Sequence, residues 1–279
     1  MHNSVFFPVV VSFLVCSIIM TAVWLWAKKI KNAGIVDIFW SYNFPVIAVI
    51  VFFLANGHQT RKFLICTMVM LWGVRLGTHL GRRVLSHIHE EEGRYAQLRK
   101  EWAPIAEKKF FWFFQAQGLS NVLLAVPFFM IAQNQSPVIS WFEYCGLAVW
   151  VIALTGEAIA DWQLDNFKKN PSNKGRVCDT GLWHYSRHPN YFFEWLIWVA
   201  YFIFALGSPY GYLAAISPAI MLHLLFNVTG IPATEEQSLR SKGALYEAYQ
   251  KSTSAFFPWF KKILTPILQK TDERKSKES

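Results

Sequence analysis

The residues best equipped for chemistry come as pairs four positions apart: Arg75 with His79, Glu157 with Asp161, Asn190 with Glu194, and His223 with Asn227. On a helix that spacing puts both side chains of a pair on one face. All lie within or beside long apolar runs, where an ionisable group is costly and needs a reason. Asp37 opens a further apolar run, and Gln115, Gln117 and Asn121 open another. Together they predict a polar cavity among helix ends. Arg75, Arg82, Arg94, Lys168, Arg176 and Arg187 suit phosphates. Glu157, Asp161 and Glu194 suit ribose hydroxyls or an amide. A nucleotide cofactor requires both kinds of group. No G-x-G-x-x-G follows a strand pattern, so such a cofactor would be held by side chains between helices. The competing reading is that these residues bond helix to helix or snorkel to the interface.

The elements that must position them are membrane spans. Of 279 residues, 53% are hydrophobic and only 16% charged; a soluble domain carries about a quarter charged residues. Crossing the hydrocarbon takes about 20 residues of helix. Seven segments qualify: Phe6–Ala27, Ile35–Ala55, Phe63–Leu80, Phe110–Ala132, Pro137–Trp162, Tyr191–Gly207 and Tyr210–Gly230. The expected fold is an all-α integral membrane protein, with residues 1–262 as one seven-helix domain and 263–279 as a basic, disordered tail. Nearly all Lys and Arg fall in every second loop, with Arg61 and Lys62 on the other side. The positive-inside rule then places the N-terminus outside and the C-terminus in the cytoplasm. The formal charge of +9 is loop charge beside spans, which argues against a nucleic-acid partner. The cysteines, Cys16, Cys66, Cys145 and Cys178, have no metal spacing and imply no disulfide framework.

The stretch from Asp161 to Trp195 reads DWQLDNFKKNPSNKGRVCDTGLWHYSRHPNYFFEW. Its order is an acidic helix end, a basic loop, Gly-Leu-Trp, then Arg-His-Pro-Asn-Tyr. This resembles the C-terminal half of the steroid 5-alpha-reductase family and its bacterial relatives. The resemblance covers roughly Leu71 to Phe260. It includes Gly93, Arg94 and Tyr95, and Glu235-Glu236 followed by Leu239, Tyr246 and Tyr249. It implies a membrane enzyme that uses NADPH to reduce a carbon–carbon double bond conjugated to a carbonyl, in a steroid or other enone lipid. It also implies roles. Asn190 and Glu194 would orient the nicotinamide amide, and Glu157 and Asp161 would bond ribose or adenine. Arg94, Lys168, Arg176 and Arg187 would hold phosphates, with Arg75 near the diphosphate or paired with Glu157. Tyr95, Tyr185 and His188 would complete the cofactor side, His188 also capping the sixth span ahead of Pro189. Glu235 and Glu236 would open an amphipathic helix ending near Lys251, capping it or reaching the cofactor.

The substrate side departs from the family pattern. Lys168 stands where steroid members often have Arg, and Thr234-Glu235-Glu236 replaces a His-rich start. The early Gln-Glu pair and Tyr that grip the substrate carbonyl have no clean counterpart. Asp37, Tyr42 and His79 are the candidate catalytic residues, with Tyr42, or Asp37 kept protonated by burial, donating to the enolate oxygen. The expected setting is a bacterial inner membrane or an endoplasmic-reticulum-type membrane, with the cofactor side cytoplasmic and no obligate protein partner. The Arg187-to-Tyr191 element is shared with membrane methyltransferases of the isoprenylcysteine carboxyl type, which use S-adenosylmethionine. That reading stays open, as does a transporter without chemistry.

Overall fold

The computed structural model describes residues 5–91, 93–228 and 230–262; the expected basic tail lies outside them. Among the described residues all regular elements are helices: α1 (Phe6–Ile30), α2 (Ile35–Leu54), α3 (Gln59–Leu85), α4 (Gly93–Glu101), α5 (Ala106–Leu124), α6 (Val126–Ala132), α7 (Trp141–Lys169), α8 (Pro189–Ala205), α9 (Ile216–His223), α10 (Ile231–Lys242) and α11 (Ala244–Ser252). A single parallel bridge joins Ser186 and Ser254.

Six helical runs are long and apolar enough to cross a membrane, as in a multi-pass integral membrane protein. They are α1, α2, α3, α5 with α6, α7, and the run beginning at Gly211 that contains α9. Seven were expected. The difference is α8, which has 17 residues between Pro189 and Ala205. At 1.5 Å per residue it reaches about 26 Å, short of the ~30 Å hydrocarbon thickness. The α5–α6 run is interrupted at Ala125, because Pro127 in the first turn of α6 has no N–H to continue the ladder. The expected helix from Glu235 to Lys251 is instead two helices, α10 and α11. They meet at Gly243, whose φ of 52° is a conformation other residues avoid.

The helices fall into two compact units, Met1–Ile152 with Trp195–Leu222, and Ala153–Glu194 with His223–Ser279. In the first unit, α3 presents Gly73 and Gly77 to α2. A Cβ at Gly73 would stand 2.5 Å from Pro45 Cδ, and one at Gly77 2.9 Å from the Tyr42 ring. Small residues four apart are what lets two helices approach in a bilayer, where dispersion replaces the hydrophobic effect as the driving force. Around that contact Phe44, Trp72, Phe128, Trp198 and Tyr201 form a buried aromatic cluster. Trp150 Nε1 donates to Tyr201 Oη within it, at 3.2 Å.

Several expected cavity residues bond helix to helix in this unit. Asn43 Nδ2 donates to Asn121 Oδ1 at 2.9 Å, and Asn121 Nδ2 donates to Trp40 O at 2.9 Å. Gln115 accepts from Ser17 Oγ at 2.6 Å and donates to Thr21 Oγ1 at 3.1 Å. An amide left without partners in lipid is expensive, so these contacts join α5 to α1 and α2.

Candidate functional site

In the second unit, α7 and the start of α8 run antiparallel at close range. A Cβ at Gly156 would fall 2.4 Å from the Phe193 ring, so only glycine permits this approach. One turn further along α7, Asp161 Oδ1 accepts from Asn190 Nδ2 at 3.3 Å. The same register sets Glu157, beside Gly156, level with Glu194, beside Phe193. The Asp161–Asn190 contact thus joins the two helices that carry the i,i+4 pairs. Glu157, Asp161 and Glu194 are all buried. Burying carboxyl groups is costly unless donors meet them. Each carboxylate oxygen takes more than one donor, so this face can grip hydroxyl and amide groups.

The loop between the two helices folds back on α7. Leu182 N donates to Gln163 Oε1 at 2.9 Å, and Trp183 Nε1 donates to Ala160 O at 2.9 Å. Gly181 has a φ of 60° and lies against the Gln163 amide, which leaves no room for a side chain. Lys168 and Arg176 stay exposed beside this loop. Burial pushes the Cys178 thiol up from its ordinary value, against the lowering effect of hydrogen bonds with Thr180.

Arg187 and His188 are built into a clasp with the C-terminal helices. Arg187 Nε donates to Glu235 Oε1 at 2.6 Å, and its Nη1 donates to Gln250 O at 3.0 Å and Thr253 O at 2.6 Å. His188 Nε2 lies 3.2 Å from the same Glu235 oxygen. Its ring stacks on Tyr191 at 5.4 Å and 6°, and Tyr191 Oη lies 3.2 Å from Thr234 Oγ1. Gln250 Nε2 donates to Glu235 Oε2 at 2.9 Å. Tyr249 Oη donates to Trp183 O and Ser186 O. Pro189 opens α8, as expected, and Ser186 Oγ accepts from His188 N at 3.1 Å. Glu235 and Glu236 are not at a helix start but on the second turn of α10, which begins at Ile231. Glu235 faces the clasp, whereas Glu236 pairs with Arg240 on the exposed face. Tyr185 is half exposed, edge-on to His184 and Phe260. His223 and Asn227 bond each other at 3.2 Å and are both exposed, so they form no buried face.

The remaining candidates belong to the first unit. Tyr95 is buried, and its hydroxyl donates to Asp37 Oδ1 at 2.7 Å. Arg83 lies 3.9 Å from Asp37 Oδ2, whose side chain is 25% exposed. That is the setting of an ion pair with a donor, not of a buried, isolated acid. Arg94 lies over the Tyr95 ring at 5.3 Å. Tyr42 Oη is 3.1 Å from Thr78 Oγ1, while Arg75 and His79 are half-buried on α3. Arg83 carried a signal that went unread, since it continues the four-residue spacing of Arg75 and His79. Gln163, Gln250 and Tyr249 carried none, because their partners are distant in sequence.

A family model described as "Protein of unknown function (DUF1295)" matches residues 23–253. An uncharacterized protein of Schizosaccharomyces pombe is 25% identical over 285 residues, spanning 90% of this chain and 80% of the relative. A probable O-methyltransferase, ustE, of Ustilaginoidea virens is 32% identical over 91 residues, which is 33% of this chain and 31% of that protein. No solved structure matches the chain.

Proposed function

We propose that this chain, which belongs to the DUF1295 family, a membrane family related to the steroid 5-alpha-reductases, is a membrane-embedded reductase. It uses NADPH to reduce a carbon–carbon double bond conjugated to a carbonyl, in a flat apolar lipid of the steroid class. The observation that carries this reading is the Asp161–Asn190 contact, which joins the helix that carries Glu157 and Asp161 to the one that carries Asn190 and Glu194. Carboxylates matched to hydroxyl and amide donors, beside the exposed cations Lys168 and Arg176, are a donor set that fits a phosphorylated dinucleotide. When bound, that group supplies a hydride.

The chain's own residues do the rest. Glu194 and Asn190 hold the carboxamide end and so orient the reacting ring. Asp161 and Glu157 accept from ribose hydroxyls. Lys168 and Arg176 neutralise phosphate charge. Arg187 and His188 are tied to Glu235 and keep the loop before α8 in place. The bias of Lys and Arg among the loops supports a cytoplasmic position for these cofactor residues.

The test is NADPH oxidation by the purified protein with a 3-oxo-4-ene steroid. Asn190→Ala and Glu194→Gln lower turnover to background while the protein still purifies as a folded, monodisperse helical species. Wild-type rates in either variant remove the assignment.

A second reading has one observation behind it, the partial identity with a probable O-methyltransferase. It predicts S-adenosylmethionine as the ligand. A ligand at about 100 times its Kd stabilises the folded state by about 2.7 kcal/mol. Thermal unfolding with each ligand therefore separates the two, and a rise with S-adenosylmethionine alone overturns the reductase.

A further inference from the structure

After α11 the chain doubles back over the second unit as an extended strap. Its backbone is tied along its length. Ser254 O accepts from Arg187 N at 2.9 Å, and Phe256 O accepts from Ser186 Oγ at 2.8 Å. Trp259 N donates to Tyr185 O at 2.9 Å, and Lys262 N donates to Ser252 O at 2.9 Å. Phe256 and Phe257 meet Phe192 with centroids 5.7 and 5.8 Å apart, and Phe256 meets Phe226 at 5.0 Å. Phe192 is in the first turn of apolar α8, and Phe226 is in the π turn Leu224–Val228 that follows α9. The strap therefore lies at the level where two apolar helices end.

Beyond Phe256 the strap's aromatic rings are largely exposed. Phe257 is 55% exposed, Trp259 71% and Phe260 76%. Four backbone ties hold them there, so this exposure is not that of a loose end. Lys261 follows, paired with Asp179 and lying over the Tyr249 ring, and then exposed Lys262. Tyr185, itself half exposed, stands edge-on to Phe260 at 6.1 Å. Aromatic rings with adjacent basic residues at the ends of spans match the headgroup region of a bilayer, where an amphipathic ring satisfies both phases. Basic residues there gain from anionic lipid.

We propose that residues 257–262 are an interfacial anchor. Phe257, Trp259 and Phe260 sit at the boundary of headgroups and acyl chains, and Lys262 meets lipid phosphates with a preference for anionic lipid. Because the same ties hold Tyr185, Ser186 and Arg187, contact with the lipid surface braces the loop ahead of α8. This inference depends on the chain being a membrane protein and not on the reductase reading.

The test uses the full chain in nanodiscs, with photoreactive benzoylphenylalanine in place of Trp259 or Phe260, and in place of Arg240 as the polar control. Mass spectrometry should find lipid adducts at 259 and 260, and several-fold fewer at 240. Discs of phosphatidylglycerol should give several-fold more adduct than discs of phosphatidylcholine, and Lys262→Ala should narrow that difference. Adducts at 259 and 260 no more frequent than at 240, or cross-links to a second copy of the chain, would overturn the anchor. Equal yields in both lipids would overturn the preference for anionic headgroups.

Discussion

Arg61 Nη2 lies 3.1 Å from Glu143 Oε2, and the two side chains are 1% and 0% exposed. Arg61 is in the first turn of α3 and Glu143 in the first turn of α7. The guanidinium also donates to Ser136 O and Val138 O, and Glu143 Oε2 accepts from Ser140 N at 2.6 Å. The pair thus gathers the connection from α6 to α7 against the start of α3. Removing one partner of a buried pair costs about 3–5 kcal/mol, because the other charge is stranded. Arg61→Met or Glu143→Gln should lower unfolding stability by that order, and Arg61→Met with Glu143→Leu should lose much less. Denaturant unfolding of the purified protein measures both. Singles no worse than the double would show that the pair does not hold this connection.

The glycines of α3 make a second stability prediction. A Cβ at Gly73 meets Pro45 Cδ at 2.5 Å, and Pro45 is fixed inside α2. Overpacking a tight contact costs about 1–3 kcal/mol, so Gly73→Leu should destabilise by that order. At Gly93 a Cβ meets nothing within 4 Å, so Gly93→Ala should be tolerated. Equal effects at both positions would show that α2 and α3 do not pack through glycine.

These pairs show what the sequence made legible. Apolar run length marked six runs, because a bilayer forces each to be continuous and helical. It also marked α8, which Pro189 and the turn after Ala205 hold to 17 residues, shorter than the six. The i,i+4 pairs on α7 and α8 were readable because that spacing fixes a face, and Asp161–Asn190 joins those faces. Spacing gives a face but not what the face meets: His223 and Asn227 bond each other and are exposed, and Gln115 and Asn121, polar residues at the start of a span, bond helix to helix. The clasp of Arg187 with Glu235 links residues 48 apart, and no local pattern encodes it. Gly243 gave no periodicity signal, so the break between α10 and α11 was read through.

Arg187 offers a test of bracing against ligand binding. Its fork takes Glu235 Oε1, Gln250 O and Thr253 O together. Lysine keeps the charge but not this geometry. Arg187→Lys should cost the ligand-free protein about 1.5–3 kcal/mol, the worth of hydrogen bonds to a charged group. A residue that only bound phosphate would leave ligand-free stability unchanged and weaken only NADPH. Thermal unfolding with and without NADPH tells the two apart.

The second unit should also lose stability in alkali. Burial raises the Cys178 thiol, pushes Tyr246 up to about 12, and raises Tyr249 further, with smaller effects of neighbouring charges on each. A raised folded value contributes stability that is complete below the unfolded value and is lost as pH climbs toward the folded one. For thiol and phenol the unfolded values are about 8.5 and 10. The contribution of these groups to stability should therefore be flat to about pH 8 and fall above it. Cys178→Ala should delay the first part of the fall. A melting temperature that rises between pH 8 and 10 would contradict the assignment of these groups.

Arg176 addresses which dinucleotide the proposed site takes. It is exposed on the loop after α7, Lys168 is exposed on the last turn of α7, and neither is spent on the clasp that occupies Arg187. A free guanidinium suits a phosphate dianion, which can take two of its N–H groups at once. If Arg176 reads the 2′-phosphate, Arg176→Ala removes contacts that NADPH makes and NADH does not. The KM for NADPH should rise about tenfold or more, the loss of one charge-assisted hydrogen bond, while the KM for NADH stays put. Lys168→Ala should weaken both dinucleotides if that ammonium meets the shared diphosphate. Equal losses for both cofactors in Arg176→Ala would move Arg176 to the diphosphate and leave the 2′-phosphate to another cation.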